Sequence, residues 1–167
     1  MTSSTPDPFA DVAPLVRGRT WEEMTPGFRF RTAGRTITEA DLVGFVSLVG
    51  VNEPLFTDAR FGADHGYAGR LVPGMMTFSY SEGLVIQTGC IHGTGLAFMH
   101  AELDVKQPVF VGDTIAVVVE VTEQRAASKG NRGVITTRNT VINQHGDVVM
   151  VYSPLRLTKG REAALTA

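Results

Sequence analysis

Two carboxylates and an amide stand close together in one short segment, residues 51–58, which reads Val-Asn-Glu-Pro-Leu-Phe-Thr-Asp. A carboxyl group desolvated by the apolar residues of this segment would suit general acid/base catalysis near neutral pH. Glu53 is the first candidate for that role, and Asp58 is the second. Asn52 is able to hold a water molecule or to polarise a carbonyl group. The segment is therefore a candidate catalytic loop.

The four histidines offer a second route to acid/base chemistry, because histidine titrates nearest to neutral pH. We rank His92 first among them, since it lies just beyond an apolar helical segment, ahead of His65, His100 and His145. Their spacing forms no HxxxH or HxH pair, and Cys90 is the single cysteine. We therefore expect no metal.

A second feature begins at Pro73-Gly74, which opens an apolar segment predicted to be helical from Met75 to about Thr88. The start of a helix presents unpaired backbone N–H groups and the positive end of the helix dipole, which favour a negatively charged oxygen. Glu82 is unusual within this segment. We expect it to lie exposed at a sheet edge or to bond a neighbouring strand, and the alternative places it in a substrate tunnel.

Another helix precedes the catalytic segment. Thr38 and Asp41 have the spacing of a helix cap, and an apolar stripe follows at Leu42, Phe45, Val46 and Val49. Gly50 is the predicted end of this helix. Residues 51–73 are rich in Gly, Asp and Pro and are predicted to form a long functional loop.

The second half of the chain has the period of β-strands. Long segments rich in Val, Ile and Thr follow one another, with a hairpin turn at residues 143–147. The predicted strands are 28–32, 96–105, 114–124, 134–144 and 148–157. This order predicts an α+β fold in which antiparallel strands follow an apolar helix.

These motifs together resemble the MaoC-like dehydratases, the hot-dog-fold (R)-specific enoyl-CoA hydratases. The resemblance is carried by residues 49–58, by the Leu71–Met76 segment and by the Pro108–Thr114 segment, and it covers roughly residues 21–158. Family members typically have Gly-Asp-x-Asn-Pro-(Leu/Ile)-His, with Asp and His as the acid/base pair. Aligned on Pro54, this chain has Val51 in place of Asp and Phe56 in place of His, with Glu53 at the Asn position.

The resemblance implies a single hot-dog domain over residues 21–160, a curved antiparallel sheet wrapped around a central helix. A flexible N-terminal arm (1–20) and a C-terminal tail (161–167) flank it. The resemblance places the Gly74 N–H at the thioester carbonyl, and Glu53, Asn52 and His92 remain the candidates for the other catalytic roles. The implied substrate-binding residues are Val51, Phe56, Asp58, Pro73, Met75 and Phe78. Because Phe56 makes the pocket less polar than a histidine would, it favours a hydrophobic acyl group.

Three functions follow from the resemblance. The first is an acyl-CoA (enoyl-CoA) hydratase/dehydratase with a non-standard acid/base set. The second is a non-catalytic hot-dog subunit of a heteromeric hydratase, and the third is a hot-dog acyl-CoA thioesterase. The thioester of CoA or of an acyl carrier protein is the substrate, and we expect no separate cofactor. The partners implied are a homodimer or a dimer of dimers, or a heteromer with a catalytic hot-dog chain.

Composition limits the alternatives. A chain of 167 residues with 43% hydrophobic residues is long enough for one domain with a substantial core. A net charge of −2 and the lack of a dense basic run argue against nucleic acid or an anionic membrane as the main ligand. The N-terminal residues lack the basic and apolar regions of a secretory signal, and a single cysteine suits a reducing compartment. We therefore expect a cytoplasmic protein.

Overall fold

The structure is a computed structural model that describes residues 12–161. The predicted arm and tail lie largely outside these residues. The described residues 12–20 contain neither a helix nor a strand. Even so, the Gly18 N–H donates to the His92 carbonyl at 3.0 Å and the Arg19 N–H donates to the Cys90 carbonyl at 2.7 Å. Residues 18 and 19 are thus bonded to the domain, ahead of the predicted boundary at residue 21.

Six antiparallel strands form the sheet of the described chain. They are β1 (Arg29–Arg31), β2 (Arg35–Thr36), β3 (Gly95–Val105), β4 (Thr114–Ala126), β5 (Arg132–Ile142) and β6 (Val148–Lys159). The strand order is β1-β4-β5-β6-β3, and β2 pairs with the start of β4. The five predicted strands are confirmed to within two residues at each end. Only the two-residue β2 has no counterpart in the prediction.

Alternation of side chains along the strands builds the core. In β4, Val117, Val119 and Val121 are buried while the residues between them are partly exposed. Successive side chains of a strand point to opposite faces, so this pattern places one face of β4 against the core. The same face of β6 carries buried residues at every second position from Tyr152 to Thr158.

Four helices lie between β2 and β3. They are α1 (Glu39–Val49), α2 (Pro54–Thr57), α3 (Ala59–Asp64) and α4 (Gly74–Gln87). The predicted cap of α1 is confirmed, because the Asp41 N–H donates to the Thr38 hydroxyl at 3.2 Å and the Thr38 N–H donates to the Asp41 carboxylate at 2.8 Å. Gly50 ends the helix with φ of 76°, a left-handed conformation that glycine adopts without strain.

The prediction of a long loop over residues 51–73 is wrong in its centre. Pro54 begins α2, where its missing N–H costs no hydrogen bond, and the Asp58 side chain caps the N-terminus of α3. Both helices are too short to show an apolar period, which is why the sequence pattern misses them.

Helix α4 packs against the inner face of the sheet. Met76, Leu84 and Val85 join the main core with residues of α1 and of β4, β5 and β6. The described structure therefore has the predicted α+β arrangement of a sheet around one central helix. Part of the apolar surface of α4 remains exposed within one chain, since Met75 is 56% exposed and Ile86 is 52% exposed.

Strand β3 lies at the edge of the sheet. Within residues 12–161 it pairs only with β6, and ten of its eleven residues are exposed. Its exposed apolar side chains are Leu96, Phe98, Met99, Leu103 and Val105. A long apolar edge of this kind is a surface on which another strand can pair. Among the described helices, none is both long and apolar enough to cross a membrane.

Candidate active site

A cavity of about 350 Å³ opens at the start of α4. Gly74 and Thr77 line it from the helix, and Val105 lines it from the end of β3. The remaining wall is formed by the segments before α4 and after β3 and by the start of β6, through Tyr67, Leu71, Val72, Lys106, Gln107, Pro108, Val109, Val149 and Met150. Most of this lining is apolar, so the cavity is suited to an apolar group.

The backbone at this helix start is suited to an oxyanion. The N–H groups of Met76 and Thr77 both donate to the Pro73 carbonyl, at 2.9 and 3.0 Å. The N–H groups of Gly74 and Met75 precede the first turn and have no acceptor within the helix ladder. A Cβ at Gly74 would lie 3.4 Å from the Val105 side chain, so an alanine fits at this position without displacing β3. The dipole of α4 further favours negative charge at this end.

Glu53 is the residue before α2, and its environment differs from the expected one. The side chain is exposed rather than desolvated, and it makes no hydrogen bond or ion pair with any residue of the described chain. It is also outside the lining of the cavity at Gly74. Glu53 is therefore a free carboxylate near the surface of a single chain.

Asp58 has a structural role in α3. Its carboxylate accepts from the Arg60 backbone N–H at 3.0 Å and from the Arg60 guanidinium at 2.9 and 3.1 Å. These bonds from Arg60 hold the pKa of Asp58 down, to about 2. A carboxylate with so low a pKa binds a proton poorly at neutral pH, which makes it a weak general base.

Val51 and Phe56 fill space beside the core. Phe56 packs against the cluster that includes Leu42 and Met76, and its carbonyl accepts from the Arg70 guanidinium at 2.7 Å. Arg70 also forms an ion pair with Glu39 at 3.1 Å, so it ties the 51–58 segment to the first turn of α1. Val51 is half-buried, and its N–H donates to the Val46 carbonyl at 3.2 Å.

The other predicted substrate contacts are distributed around α4. Pro73 is buried at the helix start, and Met75 projects to the exposed side. Phe78 is half-buried, with its ring 5.1 Å from that of Tyr152 and 6.2 Å from that of Phe98. Asn52 is exposed. Of the ten predicted site residues, the described structure places Gly74 at the first cavity and His92 at a second one.

The second cavity, of about 440 Å³, opens near the other end of α4. Ile86, Ile91, Leu96 and Phe98 give it apolar walls. Its polar lining consists of Glu82, Arg156 and the exposed His92. The Arg156 Nη2 donates to both Glu82 oxygens at 2.6 Å, across 74 residues of sequence. The expectation that Glu82 bonds a neighbouring strand is confirmed.

Further polar groups lie beside this ion pair on β5 and β6. The Asn139 Nδ2 and the hydroxyls of Tyr152 and Thr158 are buried and lack a hydrogen-bond partner within the described part of the chain. Burial, and after it the negative charge of Glu82, raises the pKa of Tyr152. The inner face of the sheet is thus polar along part of its length, where an apolar core would be usual.

The sequence did carry a signal for Arg156. It shares the inward face of β6 with Met150 and Tyr152, at even spacing along a strand whose other face is partly exposed. A cation at an inward position of an alternating strand requires a partner. Tyr67, Lys106 and Gln107 have no comparable signal, because their place at the first cavity depends on how distant loops meet.

The family model described as MaoC like domain matches residues 22–144 of this chain. The chain belongs to the MaoC-like domain family. Two curated relatives of the family lie at moderate distance. An (R)-specific enoyl-CoA hydratase from Aeromonas caviae is 31% identical over 107 residues, which are 64% of this chain and 75% of that protein. A mitochondrial 3-hydroxyacyl-[acyl-carrier-protein] dehydratase from Solanum lycopersicum is 27% identical, over 70% of this chain and 67% of that one.

Solved structures of MaoC-like proteins share the fold. The monoamine oxidase regulatory protein from Archaeoglobus fulgidus superposes with a TM-score of 0.80 at 28% identity. The match covers 87% of this chain and 97% of that chain. Hot-dog proteins recur among the structural neighbours, so the predicted single hot-dog fold is confirmed.

Proposed function

We propose that this MaoC-like chain is a hydratase or dehydratase that acts on acyl thioesters of CoA or of an acyl carrier protein. The observation that carries the proposal is that Gly74, the first residue of α4, lines a largely apolar cavity of about 350 Å³. Hydration of an enoyl thioester builds negative charge on the thioester oxygen, and unpaired N–H groups at a helix start stabilise it.

Glu53 is the proposed acid/base residue. It is the titratable side chain of the 51–58 segment that is free of other bonds in the described chain, whereas Asp58 is held by Arg60. A free carboxylate can take up a proton from water and return it to the acyl chain. Its exposure in one chain is compatible with the role if a second subunit covers this surface.

A dimer paired along β3 is part of the proposal. The edge of β3 is exposed and apolar, and a second copy would satisfy its backbone groups by antiparallel pairing. A heteromer with another hot-dog chain would use the same edge.

The test is the absorbance of crotonyl-CoA and longer enoyl-CoAs with the purified chain, with a thiol reagent in a parallel assay. Loss of enoyl absorbance without thiol release supports hydration. The Glu53→Gln variant should then lower kcat by roughly 10²–10⁴, the range for removal of a general acid/base. Asp58→Asn is the matched control, and we expect it to change kcat little. Unchanged turnover in Glu53→Gln would remove Glu53 from the mechanism, and thiol release would instead indicate a thioesterase.

A second candidate is a non-catalytic subunit of a heteromeric hydratase. It is favoured by the apolar Val51 and Phe56 and by the exposure of Glu53 away from the first cavity. Such a chain would be inactive alone and would gain hydratase activity only with a catalytic hot-dog partner. Activity of the purified homodimer would exclude this candidate.

A further inference from the structure

The Glu82–Arg156 ion pair joins a half-buried carboxylate of α4 to a buried guanidinium of β6 at 2.6 Å. Arg156 is 8% exposed, and its guanidinium lies 5.5 Å from the centre of the Phe98 ring. Removing two charges from water is unfavourable, and well-packed apolar residues are often as stable as a buried ion pair. A pair that lines an open cavity is therefore a candidate for ligand recognition.

The chemistry of this cavity is amphipathic. Its walls are apolar at Ile86, Ile91 and Leu96, and its polar side offers the Glu82 carboxylate beside the Arg156 guanidinium. These two charges cancel, and the third polar lining residue, His92, is exposed to solvent. An ion that entered beside the pair would therefore have no buried counter-charge. A neutral hydroxyl or carbonyl group fits better, because a hydroxyl can donate to Glu82 and accept from Arg156 at once.

The position of the two cavities on β3 connects this pair with the proposed thioester site. Within one chain, Gly74 and Glu82 are eight residues apart on α4, about 12 Å at the rise of an α-helix. The first cavity is lined by Val105 at the end of β3, and the second by residues 95–98 at its start. Both cavities open on the face of the sheet that carries α4.

Self-pairing of β3 would bring the cavities of two copies together. A two-fold antiparallel pair sets the start of one strand beside the end of the other. The second cavity of one copy then adjoins the first cavity of the other, on the same face of a continuous sheet. A single acyl chamber would run between them.

We propose that the Glu82–Arg156 pair of one copy binds a hydroxyl or oxo group on the distal acyl chain of a thioester held at Gly74 of the other copy. The inference rests on the proposed function. The substrate class is then a thioester whose acyl group carries a neutral polar group at its distal end. This substrate class differs from the hydrophobic acyl group expected from Phe56. The sequence pattern did not indicate the Glu82–Arg156 pair, because the two residues meet only when β6 packs on α4.

The first experiment measures binding, so it requires no turnover. Calorimetry on the full chain compares saturated acyl-CoA thioesters of four, six and eight carbons with their ω-hydroxy counterparts. The double variant Glu82→Leu/Arg156→Met removes both charges together and leaves no unpaired ion. The matched control is Arg29→Met/Glu120→Leu, which removes an exposed ion pair of β1 and β4.

The wild type should prefer a hydroxylated thioester. The Glu82→Leu/Arg156→Met variant should reduce that preference at least tenfold, the scale of one hydrogen bond to a charged group. The control variant should keep the preference. No preference at any length, or a preference that survives the double variant, overturns the inference. A chain that hydrates crotonyl-CoA yet shows no preference leaves the proposed function standing.

The second experiment tests whether two copies share the chamber. Mixed dimers combine a Gly74→Pro chain with a Glu82→Leu/Arg156→Met chain. The readout is turnover of a hydroxylated enoyl thioester relative to its unsubstituted counterpart. A shared chamber leaves one unaltered site in each mixed dimer, so half of the sites should combine the wild-type kcat with the wild-type preference. If each chamber lies within one chain, one site lacks the Gly74 N–H and the other lacks the ion pair, so no site combines the two and the shared chamber is overturned.

Discussion

At the scale of single residues, the group proposed to stabilise the oxyanion is a backbone N–H, that of Gly74. Gly74 is the first residue of α4, it lines an apolar cavity, and a Cβ added there would contact Val105. Two side chains of the 51–58 segment have structural roles instead of catalytic ones, since Asp58 caps α3 and Phe56 packs on the core. Substitution of Gly74 is therefore the first test of the proposed site.

Gly74→Pro should remove the proposed oxyanion donor while keeping the helix. Proline is tolerated at the first position of a helix, and Pro73 already has the extended backbone, φ −54° and ψ 137°, that a following proline requires. We expect kcat for enoyl-CoA hydration to fall by roughly 10²–10³, the usual effect of deleting one such donor.

Gly74→Ala is the control for this substitution, because it keeps the N–H and adds a Cβ near Val105. Its kcat should stay close to that of the wild type. Equal losses in the two variants, or circular dichroism showing that Gly74→Pro has lost helix, would contradict the oxyanion role of the Gly74 N–H.

At the scale of elements, Asp41 joins α1 to α4. Its carboxylate accepts from Thr38 at the helix cap, from the Arg35 guanidinium at 2.8 Å and from the Tyr80 hydroxyl of α4 at 3.0 Å. Arg35 also lies 4.1 Å above the Tyr80 ring. Because the 51–58 segment follows α1 and the proposed oxyanion donor begins α4, this contact fixes the relative position of the two halves of the candidate site.

Asp41→Asn should destabilise the protein at neutral pH. The hydrogen bonds from Thr38 are the first cause of the depressed pKa of Asp41, about 2, against about 3.9 in an unfolded chain. A lowered folded-state pKa adds stability above the unfolded value, and that stability is lost as pH falls towards 2. We expect a deficit of about 1 kcal/mol in urea unfolding at pH 7 that shrinks between about pH 4 and pH 2.

The exposed Asp64 provides the comparison, since no residue of the described chain hydrogen-bonds its carboxylate. Asp64→Asn should change the unfolding free energy little at either pH. A deficit for Asp41→Asn that stays constant down to pH 2 would assign the effect to altered packing rather than to the ionised carboxylate.

At the scale of the whole molecule, two exposed apolar surfaces are continuous with the candidate cavities, one on β3 and one on the uncovered side of α4. Other exposed apolar side chains lie on α1, at Val43, Leu48 and Val49. Met99 is 54% exposed near the middle of β3, and Met75 and Ile86 are exposed on the helix behind the sheet. Side-by-side pairing of two copies would cover the strand edge and bring the two α4 helices together. One interface would thus account for both surfaces.

Met99→Asp should convert the proposed dimer to a monomer. In a two-fold pair the substitution places two like charges near the axis, in a surface that loses its water on pairing. Size-exclusion chromatography with light scattering should report half the wild-type mass. Leu48→Asp, at a position 84% exposed on α1, should leave the mass unchanged. A Met99→Asp protein of wild-type mass would place the interface elsewhere.

Local interactions let the sequence determine most of the elements. The cap of α1 depends on Thr38 and Asp41, which are three residues apart, and the end of α1 depends on the left-handed conformation of Gly50. The strands follow from the alternation of apolar side chains, and the start of α4 follows from Pro73-Gly74. Each of these signals acts over a few residues, so it can be read without knowing what lies opposite.

Only the tertiary structure decided which polar groups meet. Arg156 bonds Glu82 because β6 packs over α4. The cavity at Gly74 forms because the end of β3 and the start of β6 lie against the start of α4. Glu53 was expected to be desolvated but is exposed, because its exposure is set by how α2 lies against the core. The energies of these groups are set by the dielectric and by partners distant in sequence, which local propensity does not contain.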